Sequence, residues 1–266
     1  MLEQLKRTWQ RRGFKGVWAA SKQKLFASPA ASFHGVKDRL RGQIGLEIGG
    51  PSAVFRGNQQ FPLYPLVGRL DCTTFSYQTM WEGQLEQGGA FVYAPGKESG
   101  RQIICDGSDL SLIADQSYDF LISSHVIEHI ANPIAALKNW QRVLRDDGTM
   151  VLIAPHHADI YDHRRPVTRM EHLVDDFQQG IQEDDVTHLE ESLALHDYGW
   201  DPASLKPEEF KRRALDNHSQ RVLHHHVFDR NLLAELVQAS GFVLEKLEWC
   251  HPCHIIAIAR KGKSDA

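Results

Sequence analysis

Two stretches of the chain carry residue types that can hold a nucleotide-like ligand. The first is Glu47-Ile48-Gly49-Gly50-Pro51-Ser52: an acid, paired glycines that let backbone approach a ligand closely, and a hydroxyl. A helix starting after such a turn would offer free N–H groups to an anion. The second is Asp71, 22 residues after Gly49. At the expected end of the next strand, its carboxylate can accept both hydroxyls of a ribose. Any tight bend can use two glycines, so the turn gains its meaning from Asp71.

Other residues can move protons or hold metal. Ten of the fifteen histidines lie between His156 and His226. In Asp162-His163-Arg164-Arg165 the acid can orient His163 as a general base, and the arginines can grip a carboxylate, phosphate or acidic sugar. The same residues also suit a solvated loop with ordinary ion pairs. Asp184-Asp185-Val186-Thr187-His188, His196-Asp197 and His224-His225-His226 can shape a substrate cap, hold a structural metal, or form a polar surface. Trp249-Cys250-His251-Pro252-Cys253 has the spacing of a redox pair, but such thiols are activated at the start of a helix. Here the pair falls in a turn between two expected strands, and no second cysteine pair completes a zinc site.

Positioning these groups requires alternating elements. Gln43–Ile48, a strand ending at Leu70-Asp71, Gln102–Cys105, Tyr118–Ile122 and Thr149–Ala154 read as short apolar strands. Asn132-Pro133 opens a helix by a cap and an N-terminal proline, with Ile134, Leu137, Trp140 and Leu144 on one face. Asp229 caps another helix that Gly241 ends, before an antiparallel hairpin of Phe242–Trp249 and His254–Arg260. Near-continuous apolar strands alternating with helices imply a parallel sheet covered on both faces. Between Ala154 and Phe228 the strands vanish. About seventy residues is too long for a structureless connection, so this stretch reads as a helical insertion over the C-terminal edge of the sheet. The expected segments are a basic helical extension (1–41), a core (42–155), a His-rich insertion or cap (156–226), and a last helix with two strands (227–266).

Composition narrows the class further. Four scattered cysteines exclude a disulfide framework, and no apolar run spans a bilayer, so a reducing cytoplasm is expected. Ten basic and two acidic residues up to Arg41 give +8, leaving −12 on the remainder of a chain of net charge −4. That amphipathic start can rest on an anionic membrane as a peripheral contact, bind a polyanion, or dock on the acidic body. The acidic remainder, without interleaved aromatic and basic residues, weighs against nucleic acid.

Leu46-Glu47-Ile48-Gly49-Gly50 resembles the first motif of class I S-adenosylmethionine-dependent methyltransferases, of the type 11-like group. Asp106-Gly107-Ser108-Asp109-Leu110 resembles their adenine-side turn. The stretch Asp115–Phe120, Ser123-Ser124-His125-Val126-Ile127-Glu128-His129, Asn132-Pro133 and Arg142–Gly148 is similar to the most recognisable part of the group. The resemblance implies a Rossmann-like, mostly parallel seven-stranded sheet with an antiparallel C-terminal hairpin, and S-adenosylmethionine as cofactor. It implies Glu47, Gly49 and Gly50 along the methionine part and Asp71 on the ribose. Asp106, Gly107, Asp109 and Leu110 would meet the adenine, with Ser124 and His125 beside the sulfonium. Pro51-Ser52 stands where the family often has a third glycine, which assigns the cofactor carboxylate to the Ser52 hydroxyl, since proline donates no N–H.

His125-Val126-Ile127-Glu128-His129 is also similar to the Glu-x-x-Glu-His metal motif of certain O-methyltransferases. That likeness implies a divalent metal on His125, Glu128 and His129, with His156 or His157 after the fifth strand as a further ligand; in metal-free members the motif residues serve local packing. The expected function is an O-methyltransferase acting on a polar small molecule or a glycan hydroxyl, with His125, His163 and Asp162 as candidate catalytic residues. The alternative is a non-catalytic module that binds S-adenosylmethionine or a partner.

Overall fold

The computed structural model describes residues 28–79, 82–201 and 206–262. Most of the basic extension, and the membrane or polyanion contact expected of it, lies outside the described residues. Five strands run parallel: β1 (Ile44–Ile48), β2 (Arg69–Thr74), β6 (Gly100–Ile104), β7 (Tyr118–Ser124) and β8 (Leu144–Pro155). The hairpin of β9 (Phe242–Cys250) and β10 (His254–Lys261) closes one side, with β10 antiparallel to β8. A two-residue strand β5 (Ala90–Phe91) edges the other side, giving the order β5-β6-β2-β1-β7-β8-β10-β9. This is the expected sheet plus β5. A small ribbon, β3 (Gln78–Thr79) with β4 (Gly83–Gln84), stands apart.

Strand alternation divides the core in two. Leu46, Ile48, Leu121, Leu152, Ala154, Ile255 and Ala257 face α2 (Pro133–Val143) and α7 (Arg230–Ala239), where Trp140 and Leu236 are fully buried. Phe120, Ile122, Val151, Ile153, Ile256 and Ile258 face α1 (Ala31–Leu40) and the aromatic loop of Phe55, Phe61 and Tyr64. Both expected caps form: Asn132 Oδ1 accepts from Ala135 N at 3.1 Å, and Asp229 Oδ1 from Leu232 N at 2.8 Å.

Two departures matter for the site. β2 continues three residues past Asp71, because Cys72-Thr73-Thr74 is itself good strand sequence. No α-helix follows the glycine turn either; a three-residue 3₁₀ turn, Ala53–Phe55, precedes irregular chain up to β2. The helix-terminus argument for anion binding therefore has no helix to rest on.

After β8 come α3 (Met170–Gln179), α4 (Leu189–Leu195), α5 (Pro207–Ala214) and α6 (Asn217–Gln220). Leu189, Phe210, Ala214, Val222 and Leu223 give these helices a small apolar core of their own. The chain then returns to the sheet edge, where His225 N donates to the Glu128 carbonyl at 2.8 Å. Among the described residues, no helix is long and apolar enough to cross a membrane.

Candidate active site

The parallel strands all end on one edge, and the turn after β1 is built around a buried acid. Glu47 has no exposed surface. It accepts from Tyr64 OH at 2.8 Å and Ser52 N at 3.0 Å. Burial pushes its pKa up to about 7 against those bonds, and the nearby Glu82 charge adds to the rise. The Ser52 hydroxyl is buried beside this carboxyl without meeting it in hydrogen-bond geometry. Gly50 is required by space, since a Cβ there would lie 2.2 Å from Glu47 Cδ. Gly49 is required twice over: its φ is +71°, and a Cβ would lie 2.6 Å from Val126.

Asp71 stands elsewhere. In mid-strand it pairs with Leu46 and has no exposed surface. Its carboxylate accepts from Arg101 N at 2.9 Å and Tyr118 OH at 3.0 Å, and lies 3.4 Å from Arg69 and 3.5 Å from Arg101 guanidinium nitrogens. This corrects the expected ribose contact, because the carboxylate is enclosed and already engaged. The end of β2 presents instead Thr73, whose buried Oγ1 has no hydrogen-bond partner, and then Phe75.

The turn after β6 is held by α2: Trp140 Nε1 donates to the Gly107 carbonyl at 2.6 Å. Leu110 is fully buried there, while Asp109 is exposed and bonded to Ser111. Asp106 accepts from Ser108 N at 2.8 Å and pairs with Arg221. Arg221 comes from the insertion, bonds Glu183 at 2.6 Å, and lies 5.1 Å over the Phe75 ring. No local sequence pattern points to Arg221.

At the end of β7, Ser124 is buried and His125 adopts φ +56°. That left-handed conformation costs an L-residue about 1–2 kcal/mol, and such cost gathers at functional sites. The His125 side chain is 33% exposed. Its Nε2 lies 2.8 Å from His254 Nδ1 and its Nδ1 3.7 Å from Glu128 Oε1. Burial, then the neighbouring His254, lowers the His125 pKa to about 3. Glu128 is almost fully enclosed, which raises its pKa to about 7, and its Oε2 has no hydrogen-bond partner.

The expected metal set does not assemble. Glu128 and His129 converge with His224, whereas His125 converges with Cys253 and His254. His156 joins neither; its Nδ1 accepts from Ala158 N at 3.3 Å. Both groupings join residues about a hundred positions apart, which local spacing could not reveal.

Asp162 and His163 do not pair as expected either. Successive side chains point apart, so Asp162 turns inward to Arg165 at 3.2 Å and His224 Nδ1 at 2.5 Å, while His163 reaches Asp197 at 3.1 Å. Burial alone would raise the Asp162 pKa, but His224 and Arg165 outweigh it and hold it at about 2. The far nitrogen of His224 meets Tyr161 OH at 2.7 Å. Arg165 is buried and also binds Glu191 at 2.7 Å, so it is not free to grip a substrate; Arg164 remains half-exposed beside Asp197.

A family model described as a methyltransferase domain matches residues 75–247. The chain belongs to this family and is a class I S-adenosylmethionine-dependent methyltransferase. No curated protein sequence matches it. Solved structures that align with it include a 1,6-didemethyltoxoflavin-N1-methyltransferase of Burkholderia thailandensis bound to S-adenosylhomocysteine (15% identity, 98% of this chain and 89% of that one, TM-score 0.46). A second is an S-adenosylmethionine-dependent methyltransferase of Methanosarcina mazei (12% identity, 84% and 94%, TM-score 0.46). A third is the N-methyltransferase NodS of Bradyrhizobium japonicum (11% identity, 87% and 93%, TM-score 0.45).

The turn fits such a cofactor: Gly49 and Gly50 leave its backbone without side chains, Glu47 packs behind Gly50, and the Thr73 hydroxyl is buried without a partner at the edge where a ribose would lie. Two variants separate the cradle from Asp71. Gly50→Ala is expected to displace the buried Glu47 carboxyl and so weaken S-adenosylmethionine binding about 30-fold, about 2 kcal/mol, with the circular dichroism of the folded state kept. Wild-type affinity in calorimetric titration would reject the cradle. Asp71→Ala is expected to lower stability by about 1–3 kcal/mol by stranding buried donors, while affinity stays within a few-fold. A large affinity loss at unchanged melting temperature would return the ribose to Asp71.

Proposed function

We propose that the protein methylates a hydroxyl oxygen of a polar small molecule such as a sugar, and that the His125–Glu128 pair takes the proton. The supporting observation is Glu128: buried behind a partly exposed His125, with one unpartnered oxygen and a pKa raised by burial to about 7. A group titrating near neutral pH is well matched to general-base work. The polar character of the acceptor rests on the insertion, which gathers His163, Arg164 and Trp200 around Asp197.

On this reading Gly49, Gly50 and Ser52 hold the methionine part of the cofactor, Thr73 and Phe75 the ribose side, and Asp106, Gly107 and Leu110 the adenine. Bound there, S-adenosylmethionine supplies an electrophilic methyl carbon. Ser124 and His125 border the acceptor and align its oxygen, which in an in-line displacement is a large part of catalysis. As the O–C bond formed and the S–C bond broke, the hydroxyl proton would end on the Glu128 carboxylate, relayed through neutral His125. The imidazole would give its Nδ1 proton to Glu128 as its Nε2, released from His254, took the acceptor's proton. Glu128 holds the proton until solvent takes it.

The test is incubation with ¹³C-methyl S-adenosylmethionine and a panel of glycosides, polyols and amines, read by NMR. A methyl resonance on oxygen is expected. Methyl appearing only on nitrogen or carbon would overturn the proposal.

A further inference from the structure

The insertion contains a cluster that the methyl-transfer reading does not use. His172 lies in the first turn of α3 and Asp176 one turn later on the same face. His188 immediately precedes α4, and His226 lies on the segment returning to the sheet. Their rings meet at steep angles, 87° between His172 and His188. One ring nitrogen each of His172, His188 and His226 falls within 4.8 Å of the others.

We propose that His172, His188 and His226, with Asp176 beside His172, form a zinc site that fastens α3, the start of α4 and the returning segment together. Tetrahedral zinc with nitrogen ligands at about 2.0–2.1 Å places ligand atoms about 3.3–3.4 Å apart. His172 Nε2 is 3.0 Å from His188 Nε2 and 3.3 Å from Asp176 Oδ2. Those separations lie around the edge of such a tetrahedron. Hydrogen bonding alone leaves the cluster incomplete: His226 Nε2 faces the Ala131 carbonyl at 3.1 Å, and its Nδ1 is buried with no partner. With the proton on Nε2, the other nitrogen carries a free lone pair. A metal-bound histidine is commonly held this way, by a carbonyl on its second nitrogen. Three imidazoles with one carboxylate match the ligand preference of zinc.

The metal would act on the cap. His225 N and His226 N donate to the Glu128 carbonyl at 2.8 and 3.4 Å. Fixing His226 therefore fixes the chain that lies against the end of β7.

The experiment uses the full-length protein, stripped with chelator and titrated with zinc, with metal content read by mass spectrometry. One zinc per chain and a raised melting temperature are expected. His172→Ala and His188→Ala are expected to abolish that stoichiometric binding, and Cys253→Ser to retain it. Cobalt substitution of the wild-type protein provides a readout independent of any variant's folding: four-coordinate visible bands without a thiolate charge-transfer band are expected. Absence of stoichiometric zinc on folded protein, a thiolate band, or zinc kept by folded His188→Ala would each overturn the site.

Discussion

Glu128→Gln is expected to lower the methyl-transfer rate by about 10²–10⁴-fold, the usual contribution of a general base, and to remove the acidic limb of the pH–rate profile. The wild-type limb follows from the sign of the titration. Only the carboxylate can take a proton, and its pKa is raised by burial to about 7. Rate therefore falls tenfold per unit as pH drops below about 7. The substitution keeps the side chain's shape and leaves the backbone carbonyl that accepts from His225 untouched. An acid whose folded pKa is raised binds more protons folded than unfolded, so it costs stability as pH rises from its ordinary 4.5 toward 7. Glu128→Gln should thus be at least as stable as wild type at pH 8, which separates lost chemistry from lost fold. A limb that persists near pH 7 in the variant would remove Glu128 from the mechanism.

Asp162→Ala is expected to destabilise the fold by about 3–5 kcal/mol, the cost of breaking a buried ion pair by removing one partner. Arg165 is 3% and His224 5% exposed; His224 loses the carboxylate it pairs with, and Arg165 is left with Glu191 alone. The Asp162 carboxyl is held at about 2 against an ordinary 3.8. Its contribution is therefore complete above about pH 4 and disappears as pH falls through 2. Denaturant titrations at pH 7 measure the loss directly. A difference below about 1 kcal/mol would mean that water replaces the pair and that the cluster is open.

Much of the fold was legible because the parallel strands are compact apolar runs and the two helices α2 and α7 that cover one face of the sheet carry their caps. Asn132 and Asp229 state locally what the structure does there. The end of β2 was not legible, since threonines continue a strand as readily as they begin a turn, and this placed Asp71 at the strand end where the structure has it in mid-strand. Glu47, Gly49 and Gly50 could be placed from sequence because one turn holds all three. His125 with His254, Asp162 with His224, and Arg221 with Asp106 could not, because each pair spans at least 62 residues and depends on how the insertion returns. Asp162 and His163 show the converse: adjacency in sequence placed them on opposite sides of the chain.

Arg221 couples two processes that are usually discussed apart. Its guanidinium holds Asp106 and Glu183 and covers Phe75, at the edge where an adenine would sit. An adenosine that claims Asp106 displaces this arginine and loosens the insertion's tie to β6. Linkage is reciprocal: whatever factor the insertion takes from cofactor affinity, the cofactor takes from the insertion's closed state. The expected signature is mutual antagonism between nucleoside binding and closure of the insertion. Arg221→Met would then relieve that antagonism and tighten the nucleoside, at the expense of a cap that closes.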